Sequence, residues 1–162
     1  MKYFLYILFA FLIGACGDSE KKASEDFVSD NYILKTDENN HTIIKDIRQN
    51  LIFVNSKQGC KALHDDNDTP LQDAKDFCEN LSFFGFDNWR IPTLQEIRNF
   101  SKGMDSEGLV PYFTFAKCKR ITGLKSDGTL GAINTHNATP KFEEIPLTLP
   151  AGIRCVKEME SF

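Results

Sequence analysis

The ten residues Asn88-Trp89-Arg90-Ile91-Pro92-Thr93-Leu94-Gln95-Glu96-Ile97 decide how this chain folds. Pro92 disfavours helix at the residue before it, so residues 89–91 read as extended. Thr93 can accept from a backbone N–H in the first turn of a helix, and Glu96, three residues on, can reach back. That is a capping box. Leu94, Ile97 and Phe100 then recur at helical spacing, and Gly103 is expected to end the helix. The sole tryptophan, Trp89, stands just before the junction. Taken alone, the pattern specifies a strand-to-helix junction and no ligand.

Working outward, Thr69-Pro70-Leu71-Gln72 opens a second helix, with a cap, a proline at the first position and a glutamine three residues after the cap. Its apolar face is Leu71, Ala74, Phe77, Cys78 and Leu81, and it should stop near Ser82. Residues 32–35 and 42–47 read as short strands around Asn39-Asn40. Residues 51–54 read as a buried strand. Residues 57–68 look irregular and residues 103–117 a long loop. Residues 120–124 and 129–133 bracket Ser126-Asp127-Gly128, a hairpin signal. After a polar excursion over 134–146, residues 152–157 form a closing strand with Ile153 and Cys155 on one face. Two helices and about six short strands describe an α+β domain.

The leader is equally legible. Lys2, an apolar run over residues 3–13 and the small residues Gly14-Ala15-Cys16 describe a secretory signal peptide, too short to span a membrane as a helix. Ile13-Gly14-Ala15-Cys16 resembles the bacterial lipobox, whose cysteine is acylated and becomes the N-terminus. The expected organisation is a signal peptide over 1–15, a charged flexible spacer over 16–30 and one domain over 31–162. The expected address is the cell envelope, lipid-anchored, the outer membrane before the inner, with the domain in the periplasm or at the cell surface. Without residues 1–15 the chain keeps 18 basic and 23 acidic side chains, a balance that argues against nucleic-acid binding.

Of five cysteines, Cys16 is reserved for lipid. Cys60, Cys78, Cys118 and Cys155 remain, an even number in an exported domain, so two disulfides are expected. Three connectivities are open. No C-x-x-C pair occurs and His41, His64 and His136 are scattered, which disfavours a metal site.

A family is recognisable from motifs in order: Asp46 with Leu51-x-Phe53, Ala74-x-x-x-Cys78-x-x-Leu81, Asn88-Trp89-Arg90-Ile91-Pro92-Thr93-x-x-Glu96-Ile97, and Ile153-Arg154-Cys155-Val156. Together they resemble the C-terminal domain of the Legionella collagen-like adhesin, over about residues 42–158. Phe53 replaces that family's usual tryptophan. The Arg90-Ile91-Pro92-Thr93-x-x-Glu96 and Gly152-Ile153-Arg154 elements are also similar to formylglycine-generating-enzyme-type domains. The resemblance implies a C-type-lectin-like fold, two helices packed on short antiparallel sheets. It also implies a Cys78–Cys155 bridge, leaving Cys60 with Cys118. An acidic glycan is the ligand class the adhesin relationship implies, and related adhesin domains form trimers.

The chemistry-bearing residues are few. The calcium-binding Glu-Pro-Asn or Gln-Pro-Asp triplet of true C-type lectins is absent. The acidic run Asp65-Asp66-Asn67-Asp68 lacks the glycine and spacing of a calcium loop. Asn40 and Asn67 sit in acidic stretches that fit a bacterial glycosylation sequon. Lys117, Lys119, Arg120 and Lys125 form the one local basic cluster, a candidate seat for acidic glycans or a solvated edge. Trp89, Arg90, Pro92, Thr93 and Glu96 are expected to be structural, with Arg90 and Glu96 a buried ion pair. No nucleophile motif or phosphate-binding loop is present, and no cofactor is implied. The expectation is therefore a non-catalytic binding domain for an acidic polysaccharide or an envelope partner. The alternatives are an envelope scaffold or, less favoured, a formylglycine-generating-enzyme-like enzyme.

Overall fold

In a computed structural model, the structure describes residues 24–27, 29–55, 60–63, 70–109, 120–135, 142–145 and 151–160, with the backbone alone at 24–27 and 60–63. The elements run β1 (Ser24–Phe27), β2 (Tyr32–Thr36), β3 (Thr42–Asp46), β4 (Leu51–Val54), β5 (Cys60–Leu63), α1 (Pro70–Glu79) and α2 (Leu94–Ser106). They continue with β6 (Arg120–Leu124), β7 (Leu130–Asn134), β8 (Glu144–Ile145), β9 (Ala151–Arg154) and β10 (Val156–Glu158). The class is α+β with two helices and two small sheets, one in the order β1-β2-β3-β4-β10 and one in the order β5-β9-β6-β7-β8. The first is antiparallel throughout; in the second β6 and β9 run parallel.

The Trp89 stretch laces the two sheets together. Arg90 exchanges both backbone hydrogen bonds with Val156 of β10, each 2.9 Å, which ties it to the first sheet. Two residues later the Pro92 carbonyl accepts from the Leu124 amide at 2.9 Å, which ties it to the second. The capping box then starts α2 as the spacing predicts: the Glu96 amide donates to Thr93 Oγ1, and the Thr93 amide to Glu96 Oε2.

Period-two alternation in β3 and β4 sends apolar side chains to both faces of the first sheet. Ile44, Leu51 and Phe53 join Leu94, Ile97, Phe100 and Met104 of α2 in one buried cluster with Ile121 and Ile133 of the second sheet. Phe53 stacks on Phe100 with ring centroids 4.0 Å apart. Ile43, Ile52 and Val54 pack on the other side with Ala74 and Cys78 of α1, Trp89 and Ile153.

Several expectations change. Gly103 does not end α2, which runs to Ser106. A Cβ at Gly103 would lie 1.9 Å from Arg48 Nη2 and 2.0 Å from the Tyr32 hydroxyl oxygen, so the glycine makes room for side chains that cross the helix there. The left-handed residue after the helix is Gly108, at φ +68°. The chain over 57–68, expected to be irregular, contains β5, and the excursion over 134–146 contains β8. The described residues form ten strands, not six, partly because the closing segment is two: it leaves the second sheet at Arg154 and joins the first at Val156. β1 lies inside the stretch expected as a spacer and pairs with β2.

Of the two expected disulfides, one is present among the described residues, Cys78–Cys155, with a Cα separation of 5.5 Å. It pins α1 to the joint between the two sheets. Cys118 and the Cys60 side chain lie outside the described residues, as do Cys16, the leader, Asn67 and the acidic run at 65–68.

Candidate functional site

The candidate site grows from the first turn of α2. Gly123 of β6 and Gly131 of β7 are cross-strand partners. A Cβ on Gly123 would sit 2.8 Å from the Pro92 carbonyl oxygen and 2.6 Å from Ile97 Cδ1; one on Gly131 would sit 2.7 Å from Leu94 Cδ1. Two glycines at one level of the hairpin therefore let the helix N-terminus seat directly on the sheet. Where helix and hairpin diverge they leave an open groove of about 480 Å³. Its apolar floor comes from Leu94 and Leu124 and its polar walls from Gln95, Arg98, Lys125, Ser126, Asp127 and Glu144.

The charged side chains of this groove all take part in hydrogen bonds, and two of them form an ion pair. Lys125 Nζ lies 2.6 Å from Glu144 Oε1, and this hydrogen bond moves the ammonium pKa upward. Asp127 Oδ1 accepts from both the amide and the hydroxyl of Thr129, which lowers its pKa. Arg98 donates from Nε to the Phe142 carbonyl at 3.1 Å and from Nη1 to Gln95 Oε1 at 3.2 Å. A general acid or base works best with a pKa near the working pH; the shifts of Lys125 and Asp127 run away from neutrality. The groove presents an array of oriented donors and acceptors over an apolar strip, chemistry suited to holding a polyhydroxylated ligand.

The motif residues stand beside the groove. Trp89 is 1% exposed and donates from Nε1 to the Phe86 carbonyl at 2.9 Å. Arg90 bridges two acids, Glu96 at 2.8 Å and Glu158 at 2.6 Å. The expected buried ion pair is thus a partly exposed triad: the Arg90 and Glu96 side chains are 36% and 22% accessible. Burial works to raise the Glu96 pKa, but Arg90 and Thr93 outweigh it and hold the carboxyl below its ordinary value. Arg90 is pushed up, chiefly by its hydrogen bond to Glu96. Pro92 is buried. Arg154, from the closing motif, is buried in the core, donates from Nη1 to the Val54 carbonyl at 2.9 Å, and is pulled down to about 10 by desolvation.

Of the expected basic cluster, Lys117 and Lys119 lie outside the described residues. Arg120 opens β6 and Lys125 follows its last residue, so roughly 17 Å of strand separates them. These two do not converge. Among the described residues no three His, Cys, Asp or Glu side chains gather as a metal site would require. Of the groove residues, Lys125 and Thr93 were singled out in sequence and Ser126-Asp127-Gly128 was marked as a turn; Gln95, Arg98 and Glu144, which come from separate segments, were given no role.

In comparison with known proteins, no family model, no curated protein and no solved structure matches the chain.

Proposed function

We propose that this chain is a lipid-anchored protein of the bacterial cell envelope, held by an acylated Cys16. Its single domain, C-type-lectin-like in the manner of the adhesin module it resembles, binds a polysaccharide without altering it. The groove between α2 and the β6–β7 hairpin carries this reading, because it offers hydrogen-bonded charged side chains of both signs, the Gln95 amide and hydroxyl groups over an apolar strip. In place of a densely sulfated chain, the mixed charge favours a hydroxyl-rich glycan with few charges: Arg98 and Lys125 stand against Asp127 and Glu144. A purely cationic seat would be needed for the former.

Two experiments divide the reading. Metabolic labelling with palmitate should mark the wild-type chain and not Cys16→Ser; equal labelling of both would remove the anchor. A glycan array probed with the detergent-solubilised full chain should give hits among weakly charged polysaccharides. An array silent at low and high salt would replace the binding role by that of an envelope scaffold.

A further inference from the structure

The antiparallel sheet carries a second groove, on the face opposite α2. Ile33, Lys45, Ile52 and Lys157 are successive cross-strand partners in one row across β2, β3, β4 and β10. With Ile47, Phe86, Met159 and the acidic Glu160 they line a groove of about 250 Å³. Ile47, at its rim, is 43% accessible and is the exposed large hydrophobic among the described residues. Lys157 lies with its stem along the sheet, only 11% accessible, and its ammonium reaches Glu160 at 3.0 Å. An apolar floor edged by two lysines against one glutamate keeps a net positive charge, which matches an anionic amphiphile.

Beside the groove the backbone carries an aromatic at a conformational cost. Phe83 and Phe86 exchange backbone hydrogen bonds of 3.0 Å around a two-residue turn in which Phe84 and Gly85 have φ of +57° and +74°. Asparagine or glycine suits the first of those positions and phenylalanine does not. Phe84 stacks on Phe86, the groove's aromatic wall, with centroids 6.3 Å apart.

The tether leads to this same sheet. Cys16 is eight residues before the edge strand β1, a reach of at most about 28 Å of extended chain.

We infer that this face docks on anionic phospholipid of the membrane that carries the anchor, with Ile47 and Phe86 entering the acyl boundary and Lys45 and Lys157 meeting phosphate. The inference rests on the anchor in the proposed function. Its orienting consequence is independent of the glycan: the domain is laid on its β1–β4 sheet instead of swinging free.

The test uses the full lipidated chain carrying Ile47→Trp, reconstituted in vesicles with brominated acyl chains. One set is rich in phosphatidylglycerol and the other is phosphatidylcholine alone. Flotation reads the anchor, and quenching of the added indole reads the face; Trp89, buried in the core, supplies the unquenched background. The expected result is flotation with both compositions and loss of the added emission only with phosphatidylglycerol. That loss should be reversed by Lys45→Glu with Lys157→Glu, which leaves the anchor intact. Flotation without quenching overturns the inference and spares the anchor. Flotation and quenching confined to phosphatidylglycerol supports the face and removes the anchor. Failure to float with either composition overturns both.

Discussion

At the scale of single residues, Arg90 and Glu96 do two jobs at one place, closing the first turn of α2 and tying it to the last strand through Glu158. Replacing Thr93 by alanine removes one side of the capping box and should cost about 1 kcal/mol in chemical denaturation at neutral pH. The pH dependence follows from the acids. Glu158, through Arg90, and Glu96, through Arg90 and Thr93 against the opposing effect of burial, have folded pKa values below their ordinary ones. Their contribution to stability is therefore complete above the ordinary glutamate value of 4.5 and is lost as pH falls through the lowered folded values. Melting temperature should fall on acidification in that window, and Glu96→Gln should flatten the fall; an unchanged profile would remove the triad as its cause. Asp46, raised by burial, works with the opposite sign. This box was legible because its partners are three residues apart. The role of Gly103 was not, because the atoms it clears belong to Arg48 and Tyr32, remote in sequence.

Elements were legible where one local period governed them. Both helix starts, the residue 51–54 strand and the Ser126-Asp127-Gly128 hairpin fall where spacing and turn chemistry place them, whereas α1 ends at Glu79 before the expected Ser82 and α2 runs past Gly103 to Ser106. The break at Cys155 was invisible: residues 151–156, Arg154 included, are buried throughout, and no turn residue separates Arg154 from Val156 to mark a change of sheet. The contact between α2 and the hairpin depends on Gly123, whose added Cβ would meet backbone that cannot swing aside. Gly123→Ala should cost about 1–3 kcal/mol by the cost of overpacking, read as a lowered melting temperature. A neutral Gly123→Ala would mean that helix and hairpin are not seated as described. Removing the Cys78–Cys155 bridge with Cys78→Ala and Cys155→Ala frees a link between residues 77 apart. The expected loss is about 4 kcal/mol in denaturant titration, most of it from the longer leash of the unfolded chain.

For the whole molecule, the Trp89–Thr93 stretch holds one sheet at each end, α1 is stapled to the sheet joint, and the polar groove opens at the junction so fixed. No helix among the described residues is long and apolar enough to cross a membrane. The second bridge proposed here, Cys60 with Cys118, should appear as one linked peptide pair when the unreduced protein is digested and weighed; two free thiols would refute it. The groove could not be read from sequence because its walls come from α2, the hairpin turn and β8, brought together only by folding. The most direct measurement of the central claim is calorimetric titration of an array-positive polysaccharide into the full chain at low and high salt. Wild type, a Gln95→Ala and Lys125→Ala double variant, and Arg120→Ala would be compared. The account predicts binding that survives high salt, is lost in the double variant and is unchanged in Arg120→Ala. Binding that vanishes at high salt, follows Arg120 and ignores the groove residues would contradict it.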